Sequence, residues 1–334
     1  MALKIAINGF GRIGRCVTRL IATRSDVELV AINDMASIEM MLYLLQNDSV
    51  HGQFVIDAKI KSEEYLQIAQ SNVRILSEKN PEKVDFASFG ADVVLECSGL
   101  FLTETLTRHH LEKGVKKVIL SAPTQDSGIP TFVLGVNEYN YAGENIISNA
   151  SCTTNCLGPI ARILDETFGI QKGLMTTIHA YTNGQAIIDS AHGSDMRRSR
   201  AAALNMIPTT TGAAKAISLV LPRLEGKLHG QSVRVPTPDV SMVDLNVVVN
   251  RSTSKEELSQ LFKAYAAGSM NGILEVDDRY RVSQDFVGSS FSATVADDLI
   301  QVIDGNLIKI MAWYDNEWGY SNRLIEMALF ISKQ

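Results

Sequence analysis

The stretch Ser151-Cys152-Thr153-Thr154-Asn155 sets one nucleophile among hydroxyl and amide side chains, just before an apolar, helix-like run over 157–164. A cysteine at the start of a helix faces unpaired backbone N–H groups and the positive end of the helix dipole. Both are expected to lower its pKa toward the thiolate, the form that attacks carbonyl carbon. A base is available in Thr176-Thr177-Ile178-His179, which reads as a β-branched strand ending in histidine. The pair alone does not establish a site, because a free cysteine is among the most buried residue types and often only fills space.

A second constellation lies at the other end of the chain. Gly9-Phe10-Gly11-Arg12-Ile13-Gly14 follows a predicted strand and opens a predicted helix. In that context the first glycine permits a tight turn and the second lets backbone approach a pyrophosphate at the helix amino terminus. The third allows the helix to pack closely on the sheet. Asp34 ends the next predicted strand, about twenty residues on, where a carboxylate can accept hydrogen bonds from an adenosine ribose. The bland alternative is a glycine-rich structural turn with a surface aspartate.

The elements that must position these residues come in two styles. Over 4–8, 27–33, 93–96 and 117–121 the chain reads as short apolar strands, with helices predicted at 12–23 and 103–113. This alternation predicts a doubly wound parallel sheet, buried on both faces. After Cys152 the strands grow longer and richer in Val and Thr, at 174–181, 232–235, 240–250 and 307–314. They suggest a mixed or antiparallel sheet with helices on one face, at 209–221 and 255–267. Ser254 with Glu257 predicts a capping box for the second of these. A final amphipathic helix is expected at 320–331.

Composition narrows the function classes. A length of 334 residues suggests about two domains. A hydrophobic content of 46% against 20% charged fits packed cores. The net charge of −6 argues against a nucleic-acid footprint, which needs a concentrated basic face. The first residues become a strand and glycine turn in place of a secretory h-region. No apolar run approaches the roughly 20 residues that span a bilayer. Cys16, Cys97, Cys152 and Cys156 do not follow a metal-ligand spacing, so no metal is expected. A reduced, cytoplasmic setting is the simplest reading.

Asn8-Gly-Phe-Gly-Arg-Ile-Gly-Arg15 and Ser148-Asn-Ala-Ser-Cys-Thr-Thr-Asn-Cys156 together resemble the phosphorylating glyceraldehyde-3-phosphate dehydrogenases of bacterial and chloroplast type. So do Thr209-Thr-Thr-Gly-Ala-Ala-Lys-Ala216, Arg234-Val-Pro-Thr-Pro238 and Trp313-Tyr-Asp-Asn-Glu-Trp-Gly-Tyr320. The likeness runs from Lys4 to the last helix, in order. It implies an α/β chain: a Rossmann-type NAD(P)-binding domain at 1–151 and 316–334, and an α+β catalytic domain at 152–315. It also implies oxidative phosphorylation of D-glyceraldehyde 3-phosphate to 1,3-bisphosphoglycerate, with reduction of NAD or NADP, by way of a cysteine thioester.

Under this resemblance Cys152 is the nucleophile and His179 the base, held as a thiolate–imidazolium pair. The Cys152 N–H and the His179 ring would stabilise the oxyanion. Ser151, Thr153, Arg198, Thr211 and Gly212 would hold the attacking inorganic phosphate, and Thr182 with Arg234 the phosphate of the substrate. Gly9, Phe10, Gly11, Arg12, Ile13, Gly14, Asp34 and Ser121 would line the cofactor site. Asn316 would orient the nicotinamide amide, with Tyr320 packed nearby. The resemblance further implies a homotetramer in which the loop 186–200, with Ala191, Gly193 and Met196, packs on a neighbour's cofactor. Many relatives carry an acid where this chain has Gly184.

Cofactor choice is read from opposing residues. Asp34 favours NAD, because a ribose 2′-phosphate beside a carboxylate is repelled. Ser190-Ala191 stands where NAD-restricted bacterial relatives tend to carry Leu-Pro, and Met35 follows Asp34 in place of proline, so both cofactors are expected. Other residues receive no role: His109 and His110 read as exposed, Met40 and Met41 as core-facing, Cys156 as a turn-packed neighbour, and Arg197 and Arg200 as a solvated face. The rival functions are an erythrose-4-phosphate dehydrogenase, which the segment Thr211-Gly-Ala-Ala-Lys215 resembles less, and a non-catalytic dinucleotide-binding protein on the same fold. A cysteine hydrolase does not fit the glycine fingerprint.

Overall fold

The computed structural model describes residues 2–191 and 195–334; Gly193 of the expected interface loop lies outside the described residues. Two compact units form. The first comprises Met1–Phe132, Tyr139–Ala150 and Ser321–Gln334, and the second Val133–Glu138 and Ser151–Tyr320.

In the first unit the chain runs β1 (Leu3–Asn8), α1 (Arg12–Ile21), β2 (Val27–Asn33), α2 (Ile38–Gln46), β3 (Asn47–Asp48), β4 (Gly52–Gln53), β5 (Ala58–Ser62), β6 (Tyr65–Ile68) and β7 (Ser71–Leu76). It continues through β8 (Val93–Glu96), α3 (Glu104–Glu112), β9 (Lys117–Leu120) and β10 (Ile146–Ser148). The main sheet has the order β10-β9-β8-β1-β2-β7-β6-β5. From β10 to β7 every pairing is parallel. β1, β2, β8 and β9 are buried almost throughout, as apolar runs covered on both faces must be.

The sheet is not parallel to its end. β5, β6 and β7 form an antiparallel meander that the sequence reading passed over. β5 reads Ala-Lys-Ile-Lys-Ser and is exposed after its first residue. Its lysines suit an edge strand that must resist further pairing. Two side-chain expectations also change. His110 is 1% exposed against Phe86, a neutral core histidine whose pKa burial pushes down to about 4. Met41 is in the core, but Met40 is exposed.

The second unit opens with α4 (Cys152–Phe168) and β11 (Ile170–Ala180), followed by β12 (Ile207–Thr210), α5 (Ala213–Val220), β13 (Leu228–Val235), β14 (Ser241–Val249) and α6 (Lys255–Ala267). After β15 (Leu274–Asp277), β16 (Ala293–Ala296), β17 (Gln301–Ile303) and β18 (Leu307–Tyr314) comes α7 (Trp318–Ile331), which from Ser321 onward belongs to the first unit. The sheet order is β12-β13-β11-β14-β18-β16-β15, with β17 on β18. It is mixed: β11 with β13 and β15 with β16 are parallel, and the other neighbours are antiparallel.

The helix expected from residue 209 begins at Ala213. Ile207–Thr210 instead pairs with β13, because β-branched threonines suit a pleated surface better than a helix. Only half of the predicted capping box on α6 forms. Ser254 accepts from the Glu257 N–H, while the Glu257 carboxylate is held by Arg251 and Thr253. Cys156 is a fully buried helical residue of α4, not part of a turn.

Candidate active site

The nucleophile helix starts where the sequence puts a hydroxyl. Ser151 is extended (φ −107°, ψ 165°) and its Oγ accepts from the Thr154 N–H at 3.1 Å, so Cys152 becomes the first residue of α4. His179 sits next to the end of β11. In the parallel register it faces Arg234 of β13, so two chain segments deliver a base and a cation side by side. The Cys152 Sγ lies 3.6 Å from His179 Nε2. On the far side of the ring, Nδ1 is 2.7 Å from the Ala180 carbonyl oxygen and 2.6 Å from Arg234 Nη1, which also donates to that carbonyl at 3.0 Å. Cys152, His179 and Arg234 are thus brought together.

The electrostatics differ from the expected ion pair. Burial raises the Cys152 thiol above its ordinary value, and the Arg234 charge and Thr153 only partly offset it. Burial, then Arg234, push His179 down to about 3, against the Ala180 carbonyl pulling up. Burial thus opposes the ionised thiol that the helix start was expected to favour, because the helix start lies inside the protein. Desolvation likewise opposes a charge on His179, beside the half-buried Arg234.

The residues expected around the phosphates are unequally disposed. Thr153 is buried, and its hydroxyl is 2.8 Å from Tyr314 Oη and so committed to it. Thr211 Oγ1 accepts from the Ala213 N–H, and Gly212 caps α5. Arg198 donates to Thr209 at 2.9 Å and is ion-paired with Asp195 at 3.4 Å. The Thr182 hydroxyl accepts from the Gly184 N–H at 3.3 Å. A Cβ added at Gly184 would lie 3.9 Å from Arg198 Nη1 and 3.4 Å from the Thr182 hydroxyl. Arg197 and Arg200 are exposed, and Arg200 is ion-paired with Asp189.

In the first unit the glycines meet three different constraints. Gly9 has φ +97°, and a Cβ there would lie 2.5 Å from the Ser98 backbone nitrogen. A Cβ on Gly14 would lie 2.2 Å from the Gly9 carbonyl oxygen, which is the close helix–strand approach. At Gly11, the cap of α1, an added Cβ meets nothing within 4 Å, and no side chain caps the helix. The amino terminus of α1 is thus left open to an anion, which fits a dinucleotide pyrophosphate. The Asp34 carboxylate accepts from the N–H groups of Phe10 (2.6 Å) and Ala36 (2.9 Å). The Arg12 guanidinium is held by Asp48, so any contact of Arg12 with a cofactor falls to its backbone. Ile13 follows in the first turn of α1, and Ser121, just after β9, donates its N–H to the Glu96 carbonyl.

Asn316 is buried and accepts from Ser241 Oγ at 2.6 Å; Tyr320 is buried in α7. Ser190 is exposed, and its N–H donates to the Ser199 carbonyl.

Two residues escaped the sequence reading. Tyr314 Oη touches both Thr153 and Thr177 at 2.8 Å, and its ring stands edge-on to His179. Its signal was its place in the Trp313–Tyr320 motif. Glu96 is fully buried and receives Asn8 Nδ2 at 2.6 Å and the Ser98 N–H at 2.8 Å beside the glycine turn. A lone acid ending an apolar strand was the clue.

Comparison with known proteins agrees with this geometry. Residues 3–104 match the glyceraldehyde 3-phosphate dehydrogenase NAD binding domain, and residues 151–316 match the C-terminal domain of the same family. The chain is 47% identical to glyceraldehyde-3-phosphate dehydrogenase 1 of Bacillus subtilis over 100% of its own length and 99% of that protein. It is 47% identical to the chloroplastic glyceraldehyde-3-phosphate dehydrogenase B of Pisum sativum, over 99% of the chain and 74% of that protein. With the glyceraldehyde-3-phosphate dehydrogenase of Xanthobacter flavus it shares 46% identity over 100% and 99%.

Proposed function

Because the chain belongs to the glyceraldehyde-3-phosphate dehydrogenase family, we propose residue by residue how it carries out that reaction. The enzyme oxidises and phosphorylates glyceraldehyde 3-phosphate to 1,3-bisphosphoglycerate, a step of glycolysis, with NAD or NADP as the oxidant. The observation that carries the residue assignment is the 3.6 Å contact between Cys152 Sγ and His179 Nε2 at the start of α4.

Cys152 attacks the aldehyde carbon while His179 takes the thiol proton and passes it to the carbonyl oxygen, giving a hemithioacetal. The same nitrogen takes that proton back as the carbon is oxidised to the thioester. When bound, the nicotinamide ring supplies the hydride acceptor. A phosphate oxygen then attacks the thioester carbon, the C–S bond breaks, and Cys152 leaves as thiolate. Backbone N–H of Cys152 and the ring of His179 face the oxygen on which charge develops.

Thr182 and Arg234 hold the substrate phosphate. Ser151, Thr153, Arg198, Thr211 and Gly212 hold the incoming inorganic phosphate, with Thr153 exchanging Tyr314 for the anion. Residues 1–151 and 316–334 serve the cofactor, through the turn Gly9–Gly14, Asp34, Ser121, Asn316 and Tyr320, and residues 152–315 the chemistry. The open amino terminus of α1 supports this reading. The enzyme acts as a homotetramer in the cytoplasm, with Ser190 beside a neighbour's cofactor. Ile187, Ile188, Met196, Leu204 and Met206 are all at least 74% exposed, an apolar set that favours burial against another subunit.

A turnover assay with glyceraldehyde 3-phosphate, with and without phosphate and with each cofactor, tests the whole assignment. Preferential turnover of erythrose 4-phosphate would overturn the substrate, and oxidation independent of phosphate would overturn the acceptor.

A further inference from the structure

Arg198 is held by one edge of its guanidinium. Nε donates to Thr209 Oγ1 at 2.9 Å and lies 3.4 Å from Asp195 Oδ2. Among the described residues Nη1 and Nη2 make no hydrogen bond. A Cβ added at Gly184 would lie 3.9 Å from Nη1, so that end of the fork faces the turn 182–184. The fork is fixed at its base and open at its tips. An arginine side chain carries about 2 kcal/mol of rotamer entropy, and Arg234 is near enough for the two cations to repel. A long cation in that position needs a fixed partner to stay in one place.

Asp195 supplies it by way of a neighbour. Its Oδ1 accepts from the Arg197 N–H at 3.0 Å, and its Oδ2 from the Thr209 hydroxyl at 2.6 Å. Both contacts fix the carboxylate independently of Arg198. The Thr209 hydrogen bond, above all, holds the Asp195 carboxyl below its ordinary range, so it is ionised at neutral pH. A hydroxyl has a single proton to give. With that proton on Asp195, the Thr209 oxygen turns lone pairs toward Arg198, which is what an Nε–H needs. Thr209 is itself buried on β12, opposite Ser232 of β13. Just beyond it the same strand runs into Thr211 and Gly212.

We propose that Asp195 and Thr209 are positioning residues for the attacking phosphate, locking Arg198 so that both Nη groups meet the anion beside Thr211 and Gly212. This rests on the assignment of Arg198 to the inorganic phosphate. Neither residue touches the reacting atoms. The Asp195 charge also weakens the attraction of Arg198 for an anion, but that carboxylate is 34% exposed and screened by water. Orientation outweighs it, because two parallel N–H···O bonds to a phosphate need the planar fork in one fixed plane.

The test separates phosphate from the other substrates. Initial rates are measured with phosphate varied at saturating aldehyde and NAD, and the NADH burst without phosphate reports thioester formation. Thr209→Val removes the hydroxyl and keeps the shape; it should raise KM for phosphate about tenfold or more. Asp195→Asn must turn an amide N–H toward one of its two donors and should do the same. Burst amplitude and KM for glyceraldehyde 3-phosphate should stay within about twofold in both variants, a split that a damaged fold would not give. The double variant should lose no more than either single one, since both break one network. Thr209→Ser, which keeps the hydroxyl, should bring KM for phosphate back close to wild type. A lower KM for phosphate in Asp195→Asn would overturn the inference, because the carboxylate would then be competing with the anion for Arg198. So would an unchanged KM in Thr209→Val while Arg198→Leu raises it. A wild-type KM for phosphate in Arg198→Leu would instead remove the assignment of Arg198, and the inference with it. Should Thr209→Val not fold, Asp195→Asn and Arg198→Leu decide alone.

Discussion

Thr153 and Tyr314, 161 residues apart, share a buried hydrogen bond of 2.8 Å, and the same phenol reaches Thr177 at 2.8 Å. The first turn of the nucleophile helix is thereby tied to the strand that carries the base. Tyr314→Phe keeps the ring against His179 but strands two buried hydroxyls. It should cost about 1–3 kcal/mol in urea denaturation and lower kcat, as Thr153 and His179 lose a fixed spacing. Wild-type stability and kcat in the variant would show that the tie is dispensable.

Cys152 and not Cys156 should carry the acyl group. Cys156 is fully buried, and burial, reinforced by Cys152, raises its thiol well above the ordinary value. Cys152→Ser should abolish aldehyde oxidation and leave cofactor affinity within about twofold, since its side chain is remote from the glycine turn in sequence and role. Peptide mapping of the trapped adduct checks the position; an adduct on Cys156 would reverse the assignment.

The three glycines of the turn should fail differently on mutation. Gly9→Ala places a Cβ against Ser98 backbone at a positive φ, so it should lower the melting temperature. Gly11→Ala meets open space and should fold with wild-type stability, yet bind NAD at least tenfold more weakly, as the methyl occupies the approach to α1. Calorimetric titration beside thermal unfolding separates the two. Unchanged affinity in Gly11→Ala would place the pyrophosphate elsewhere.

Asp239 gives a pH dependence of stability. Burial raises its carboxyl pKa strongly, with the adjacent Asp315 and Glu317 adding to the effect. The folded state holds this proton above the unfolded value of about 3.9. As pH rises from that value toward the folded pKa, the unfolded state releases its proton first, and stability falls. Asp239→Asn removes the charge, so its melting temperature should rise relative to wild type, and the gap should widen from pH 5 to pH 8. A gap that stays constant over that range would mean that Asp239 is ionised in the fold.

Exchanging Ser190-Ala191 for Leu-Pro should raise KM for NADP severalfold and leave KM for NAD nearly unchanged, since a leucine crowds a ribose 2′-phosphate that a serine hydroxyl can bind. Initial-rate kinetics with both cofactors decides it. Absence of NADP turnover by the wild-type enzyme at millimolar cofactor would remove the basis for dual specificity.

Much of this protein can be read from its residues in order. Gly9, Gly11 and Gly14 announce their turn because each spacing answers a local steric demand, and Val27–Asn33 announces a buried strand by composition alone. Ser151 before Cys152 marks a helix start because capping is a contact between near neighbours in sequence. The edge meander over 58–76 is hidden, because its strands are only four to six residues long, too short for their alternation to stand out from the loops between them. Tertiary structure alone decides the charge state at the site. The pairing of β11 with β13 sets Arg234 beside His179, and the interior desolvates both Cys152 and the imidazole. Capping and turn geometry act over a few residues and are written locally, whereas desolvation and the field of a cation depend on what the fold brings from fifty or more residues away.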